Sequence, residues 1–382
     1  MKEPMKVLTK AILPKGFTAS AVASGIKKSG KLDLCLFYSA VPAKACAMFT
    51  SNRIPAAPVL VCKDNLKASA SFRAIVANSG NANCFNGKQG MADARAMCRS
   101  AATALAIRAQ EVFVASTGII GKRMPAGRVE SAMAPLAAGL STRGMNDAAR
   151  AIMTTDTFTK EAVCRFTVGK TTVTVSGIAK GAGMIAPDMA TMLAFVFTDA
   201  AISKAAMMSA LKSSVEASYN CVTVDGCMST NDTVILMANG AAGNPVIKGG
   251  KDLELFRKAL DAVNLRLAKM MVEDGEGASK FIEISVSGAK TRRDAKNAAL
   301  FVANSNLFKT AVYGENPNFG RIAAAVGASG IDIDEKRLKV RLGPLKSRKV
   351  KVEINLSSGR ASCTVYTSDL TPEYLKINAA YN

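Results

Sequence analysis

One residue sits where an ordinary hydroxyl could become a catalyst. Thr191 lies at the junction of a loop and a strand. Residues 180–191 read KGAGMIAPDMAT, with Gly181, Gly183 and Pro187 breaking regular structure. Residues 192–197 are apolar on both faces, the pattern of a strand buried on two sides. A threonine hydroxyl is a weak nucleophile unless a base adjoins it. The chain has no histidine, which excludes Ser-His-Asp and Cys-His relays and removes the commonest transition-metal ligand. The base must be a carboxylate, a lysine or a terminal amine. Breaking the Ala190–Thr191 peptide bond would supply the last of these. The freed α-amine, with a pKa of roughly 7.7–8.0, is partly neutral near pH 7 and is tethered to the hydroxyl it must deprotonate. The same hydroxyl can begin the cleavage by attacking the Ala190 carbonyl, giving an ester that water opens. By pattern alone, a threonine opening a strand is also an ordinary structural choice.

The elements around this junction predict an α/β or α+β fold. Helical periodicity covers residues 91–110, 201–218, 252–273 and 295–304. In the third of these, Leu253, Phe256, Leu260, Val263, Leu267 and Met271 form one apolar face. Residues 164–178 read as two strands around the turn Gly169-Lys170, and residues 280–286 and 349–356 alternate as strands. Shifts in composition near residues 275–277 and 287–291 suggest domain boundaries.

Of the 382 residues, 49% are hydrophobic and 21% charged, ordinary for a globular protein. No apolar run approaches the ~20 residues that cross a bilayer, and the basic start lacks the apolar segment of a signal peptide. The nine cysteines are scattered without a CxxC pair, which predicts free thiols in a reducing cytoplasm rather than a disulfide framework or zinc site. The formal net charge of +21 attracts anions. The basic residues are dispersed, however. The densest runs, 291–296 (TRRDAK) and 346–351 (KSRKVK), lack interleaved aromatics, so a solvated surface is expected rather than a nucleic-acid site.

Ten segments in order carry a resemblance to a known family. They are PKGFTASAVASGIK (14–27), FTSNRIPAAPV (49–59), VANSGNANCFNG (76–87), STGIIG (116–121), IMTTDT (152–157), KGAGMIAPDMATMLAFVFTDA (180–200), TVDGCMSTNDT (223–233), VEDGEGASK (272–280), YGENPNFGRI (313–322) and INAAY (377–381). Across essentially its whole length the chain resembles the ornithine acetyltransferase family, also called the glutamate N-acetyltransferase or ArgJ family. The resemblance implies self-cleavage at Ala190–Thr191 and transfer of acetyl from N-acetyl-L-ornithine to L-glutamate through acetyl-Thr191. Some members also take acetyl from acetyl-CoA, and the sequence does not decide that point. No cofactor and no metal are implied. The implied architecture is an αββα sandwich like that of N-terminal-nucleophile hydrolases and DmpA-type aminopeptidases, with a smaller C-terminal α/β domain. Cleavage would give an α chain, 1–190, and a β chain, 191–382, in which 191–280 completes the sandwich and 281–382 forms the C-terminal domain. An α2β2 assembly is implied, acting on small molecules and neither on nucleic acid nor at a membrane.

The resemblance also assigns roles. Thr117 and Gly118 match an oxyanion-hole pair, one hydroxyl and one backbone N–H. Lys180 matches a substrate-binding lysine, suited to a carboxylate. Thr154 matches a substrate contact, with Thr155 and Thr157 as alternatives in register. Glu276 matches a carboxylate that could hold an ammonium group, with Glu273 as its competitor, and Asn378 matches a substrate-binding asparagine. Asn81, Asn83, Asn316 and Asn318 lie in family motifs but read as turn formers. Three departures from the family stand out: Ala186 and Asp188 replace a usual histidine and asparagine, the chain stops at Asn382 without the usual terminal Ser or Thr, and Phe319 replaces a common tryptophan. The competing reading is a DmpA-like amidase or aminopeptidase, with water accepting the acyl group from the same nucleophile.

Overall fold

The computed structural model describes residues 5–10, 12–186 and 192–380. They form two compact units. The first contains residues 5–10, 12–181, 192–218 and 228–268, and the second contains 182–186, 219–227 and 269–380.

The first unit carries β1 (Val7–Leu8), β2 (Phe17–Val22), β3 (Leu34–Phe49), α1 (Ala57–Ala68), β4 (Phe72–Asn81), α2 (Gly87–Leu105), β5 (Val112–Ile119), α3 (Ala126–Ala138), α4 (Met145–Ala151), β6 (Lys160–Val168), β7 (Thr171–Lys180), β8 (Leu193–Thr198), α5 (Lys204–Ala217) and β9 (Thr233–Ala238). Helix α6 (Gly250–Glu273) begins in this unit and ends in the second. The strands run β1-β6-β7-β8-β9-β3-β4-β5, with β2 also paired to β3. Strand β3 belongs to two layers. Leu34–Tyr38 pairs with β2 and β4, while Lys44–Phe49 pairs with β9, and the register shifts between Tyr38 and Ala43. Pro42, which has no N–H for a ladder, lies in that shift. The bend folds the sheet onto itself. Phe37 of one layer packs on Phe195 and Phe197 of the other, at ring distances of 5.7 and 4.8 Å, and Phe17 packs on Phe197 at 5.1 Å.

Helices cover both outer faces. Helices α1 and α2 pack on β5, and α3 packs on β2 and β3. On the other layer, Phe256 of α6 meets Phe166 of β6, and Leu267 lies against Gly177 of β7. The result is the expected αββα layering. Every residue of β8 is buried, as the two-sided apolar pattern predicts. Leu193, Phe195 and Phe197 enter the core between the sheets, so alternation sends Ala194 and Val196 to the helix side.

The second unit is built on β10 (Phe281–Ala289), α7 (Arg292–Ala303), α8 (Asn306–Tyr313), α9 (Phe319–Gly327), β11 (Lys339–Leu342), β12 (Lys349–Asn355), β13 (Ala361–Ser368) and α10 (Pro372–Ala380). Its sheet runs β11-β12-β10-β13, with only β10 and β12 parallel. The connection between these two carries helices α7 to α9, as a parallel crossover requires. Thr291, from one of the basic runs, opens α7 with a capping box to Asp294. Eight cysteines are buried, and Cys227 is exposed. No described helix is long and apolar enough to cross a membrane.

The Phe37 seam makes a direct test of the bend. Phe37→Ala should lower unfolding stability by roughly 3–5 kcal/mol, read from the denaturant midpoint.

Candidate active site

Strand pairing defines the surroundings of the strand that follows Thr191. Strand β7 runs antiparallel to β8 with Lys180 opposite Leu193, and β9 runs parallel on the other side with Thr233 opposite Leu193. The start of β8 is therefore flanked by Lys180 on one side and by Asp232-Thr233 on the other. Ala190 and Thr191 themselves lie outside the described residues, as do Asp188 and Asn382.

Lys180 is only 2% exposed. Its ammonium donates to Thr154 Oγ1 at 2.7 Å and to Thr117 Oγ1 at 3.4 Å, and lies 3.9 Å from Asp156 Oδ2. The structure thus brings three of the candidate residues, Thr117, Thr154 and Lys180, into one hydrogen-bonded group. Both hydroxyls accept from Lys180, which leaves their own protons free to be donated. Of the threonines in its segment, Thr154 is seen bonded to this ammonium.

Thr117 and Gly118 close the end of β5, paired in parallel with the Ser79-Gly80-Asn81 end of β4. Two side-chain amides fix that end. Asn231 donates to the carbonyls of Ser116 and Ala82 at 2.8 and 2.6 Å, and Asn81 donates to the carbonyls of Lys122 and Arg123. Gly118 has φ +128°, and a Cβ there would lie 2.5 Å from the Gly80 carbonyl carbon. Glycine is required both by conformation and by the closeness of the two backbones. Asn81 and Asn83 serve turns, as do Asn316 and Asn318; Asn318 caps α9.

A second layer of charge supports this group. Asp156 is buried between two lysines. Its Oδ1 meets Lys160 Nζ at 2.7 Å and the Gly181 N–H at 2.7 Å, and its Oδ2 accepts the Thr154 N–H at 2.9 Å. Burial alone would raise its pKa, but Lys180, Lys160 and these hydrogen bonds prevail and hold the carboxyl well below the usual carboxylate range. Beside it opens a cavity of about 650 Å³, lined among others by Lys27, Lys31, Asn146, Arg150, Thr154 and Asp156. Burial brings the Lys27 ammonium down to about 8, against the pull of Asp33.

Asp232, on the opposite flank of β8, is fully buried. Its Oδ1 accepts the Met192 N–H at 2.7 Å. Burial raises its carboxyl well above the ordinary value, opposed by the Met192 N–H and by Lys180.

In the second unit, Asn378 Nδ2 donates to Glu276 Oε2 at 2.8 Å, so the two remaining substrate candidates meet. The Glu276 N–H donates to the Ala182 carbonyl at 2.9 Å, and its carboxylate lies over Gly183, where a Cβ would collide with it. Glu273 is the last residue of α6. Residues 184–186 are firmly held. The Ile185 carbonyl accepts the N–H groups of Val224, Asp225 and Gly226 and the Thr223 hydroxyl, while Asp225 accepts the Met184 N–H at 2.6 Å. Ala186 is buried. Phe319, in the tryptophan position, is 48% exposed at the start of α9.

Sequence reasoning did not single out Asp156, Lys160, Asp232 or the 223–226 clamp. The segments IMTTDT and TVDGCMSTNDT contain three of these features, but a carboxylate in a short loop has no periodicity that reports its partners.

The chain matches the ArgJ family model over residues 18–346. An arginine biosynthesis bifunctional protein ArgJ of Geobacter sulfurreducens is 46% identical over 96% of this chain and 99% of its own length. One of Caldanaerobacter subterraneus subsp. tengcongensis is 44% identical, with 97% of each chain covered. Among solved structures, the ArgJ protein of Bacillus halodurans shares 35% identity over 49% of this chain and 98% of that chain, with a TM-score of 0.48.

Two substitutions test the framework. Asp156→Asn removes a carboxylate shared by two buried ammonium groups and should cost roughly 3–5 kcal/mol of stability near neutral pH. Because the folded carboxyl is depressed below its ordinary 3.8, its stabilisation is present above that value and is lost as pH falls toward the folded pKa. Wild-type protein should therefore lose stability more steeply than Asp156→Asn below about pH 4, measured by thermal melts across pH. Gly118→Ala should destabilise by about 1–3 kcal/mol from backbone strain alone, with further loss from the collision at Gly80.

Proposed function

The chain belongs to the ArgJ family, and from that membership we propose that it cleaves itself at Ala190–Thr191 and then moves acetyl from N-acetyl-L-ornithine to L-glutamate through acetyl-Thr191. The observation that carries this reading is the buried Lys180 ammonium. It accepts no proton from its neighbours but donates to the hydroxyls of Thr154 and Thr117, beside the strand that begins just after Thr191. Such an arrangement supports two tasks. One is the binding of an anionic amino-acid substrate. The other is the orientation of the Thr117 hydroxyl toward a developing oxyanion.

The proposed chemistry runs in two stages. The Thr191 hydroxyl attacks the Ala190 carbonyl, and the acyl group passes from nitrogen to oxygen. Water opens the ester and leaves Thr191 with a free α-amine. In turnover, that amine takes the hydroxyl proton as Thr191 Oγ1 attacks the acetyl carbonyl. The Thr117 hydroxyl and Gly118 N–H receive the oxyanion, and the proton passes to ornithine as the C–N bond breaks. Glutamate then enters, its amine attacks acetyl-Thr191, and N-acetylglutamate leaves. Family resemblance gives the substrate-binding roles: Lys180 and Thr154 suit a carboxylate, and Glu276 and Asn378 suit an ammonium or amide group. Acetyl-CoA, where used, enters as a second donor substrate rather than as a cofactor. Residues 1–190 and 191–382 remain together as α and β chains and assemble as α2β2.

Mature wild-type protein should give two bands on a denaturing gel, one beginning at Thr191, and Thr191→Ala should give one uncut, inactive chain. Thr117→Ala should be cut and fold normally but lose about 10²–10³ in kcat. Initial rates with N-acetylornithine and glutamate should give the parallel lines of a ping-pong reaction. Intersecting lines, or release of acetate in place of N-acetylglutamate, would contradict the proposed transfer.

A further inference from the structure

We propose that Lys27, with Lys31 and Arg150 on the same cavity wall, binds the side-chain carboxylate of the acceptor and so selects glutamate over uncharged amino acids. The inference rests on the transfer reading and adds to it a specificity-determining residue in the first unit.

The exchange itself creates the need. Donor and acceptor share an α-nitrogen that carries or receives acetyl, beside an α-carboxylate. They differ at the far end, where ornithine has an ammonium and glutamate a second carboxylate. Lys180 and Thr154 suit the carboxylate that both share. Glu276 suits the ammonium and would repel a carboxylate. The acceptor's second carboxylate is thus left without a cation.

Three observations place Lys27 where it can supply one. The cavity of about 650 Å³ beside Thr154 has Lys27, Lys31 and Arg150 among its lining residues, and its size is that of a small-molecule site. Asp156, also on this wall, is already matched by Lys160 and Lys180. Arg150 pairs with Asp147 at 3.6 Å, but both are exposed and such a pair is weak.

Lys27 is also held in place. The buried Asp33 carboxylate accepts the N–H groups of Ser24 and Lys27 at 2.6 and 2.9 Å and the Ser24 hydroxyl at 2.7 Å, which fixes the loop. The lysine stem lies over Gly80, where a Cβ would come within 3.1 Å of Lys27 Cγ. Gly80 is the partner of Gly118 at the end of β5. Lys27 therefore reaches from the strand ends that carry the oxyanion candidates to the cavity.

Finally, its ammonium can take a ligand. It donates to the Leu32 carbonyl at 2.9 Å, which uses one of its three protons. Burial, aided by Lys180 and Lys31 and opposed by Asp33 and Asp156, brings it down to about 8. An anion beside it would relieve that cost. Lys27 and Lys180 repel each other, and a dicarboxylate with one end at each would remove the repulsion. A lysine needed only to tie the Leu32 carbonyl would not need its charge.

The test is Lys27→Gln, which keeps a donor for the Leu32 carbonyl and removes the charge. Glutamate and glutamine are compared as acceptors of acetyl from N-acetylornithine, by the ratio of their kcat/KM values. Wild type should favour glutamate by at least about tenfold. In Lys27→Gln the KM for glutamate should rise about tenfold, with kcat and the KM for N-acetylornithine within about threefold. The preference over glutamine should fall with it, whereas a structural role would weaken both acceptors alike. A preference within about threefold of wild type overturns the assignment. Should Lys27→Gln fail to fold, the exposed pair Lys31→Gln and Arg150→Gln, made together, decides: a fall in preference of at least about threefold supports the subsite, and a smaller one overturns it. Wild type that acetylates glutamate and glutamine equally well overturns the subsite and leaves the transfer reading standing. Wild type that acetylates neither refutes that reading, and the subsite falls with it.

Discussion

A buried ammonium survives only where oxygen atoms replace the water it has lost, and the first unit is organised around one. Lys180 ends β7 at 2% exposure, with Thr117 from β5 and Thr154 and Asp156 from one turn supplying oxygens. Satisfying that charge ties the end of β5, the 154–156 turn and the end of β7 into one group. Lys180 and Lys160 together hold the Asp156 carboxyl well below the usual carboxylate range, so near neutral pH the Lys180 ammonium faces a carboxylate. Loss of any member would leave a buried polar group to be resolved by a shift of the strand end that pairs with β8.

The fold around this group explains why its parts stay in register. The sheet bends on itself at Pro42, which lets one strand serve both layers and buries Phe37 against Phe195 and Phe197. Strand β8 is thereby held from both faces and from both edges. The first residues of such a strand have little freedom, and Met192 is further fixed by Asp232. Within the second unit, the 223–226 segment clamps the Ile185 carbonyl.

Much of this was legible in the sequence, but unevenly. The two-sided apolar run at residues 192–197, the hairpin around Gly169-Lys170 and the apolar face of residues 252–273 each have a periodicity that local physics fixes, and all three appear within a few residues of where they were read. The double role of β3 was not legible, because a bent strand and two short strands share the same alternation. Nor was the joining of residues 182–186 and 219–227 to the C-terminal unit, which is a matter of tertiary contacts. In the site, Thr117, Thr154 and Lys180 were named by family resemblance, and no spacing in the chain predicted that they would meet. Asp156 and Asp232 went unnamed because their importance lies in burial and in partners far away in sequence. The dispersed positive charge was rightly read as surface in the 346–351 run, which is exposed apart from Val350, while Lys27, Lys31 and Arg150 gather at a cavity that no linear pattern marks.

The central claim is that a threonine with a built-in amine carries the acetyl group. It is tested most directly by incubating the mature enzyme with N-acetylornithine in the absence of glutamate, quenching with acid and weighing its fragments. The account predicts that the fragment beginning at Thr191 gains one acetyl group, located on the Thr191 hydroxyl and removed when glutamate is added before the quench. An acetyl group on any other residue, or an enzyme that releases ornithine while every fragment keeps its original mass, would contradict it.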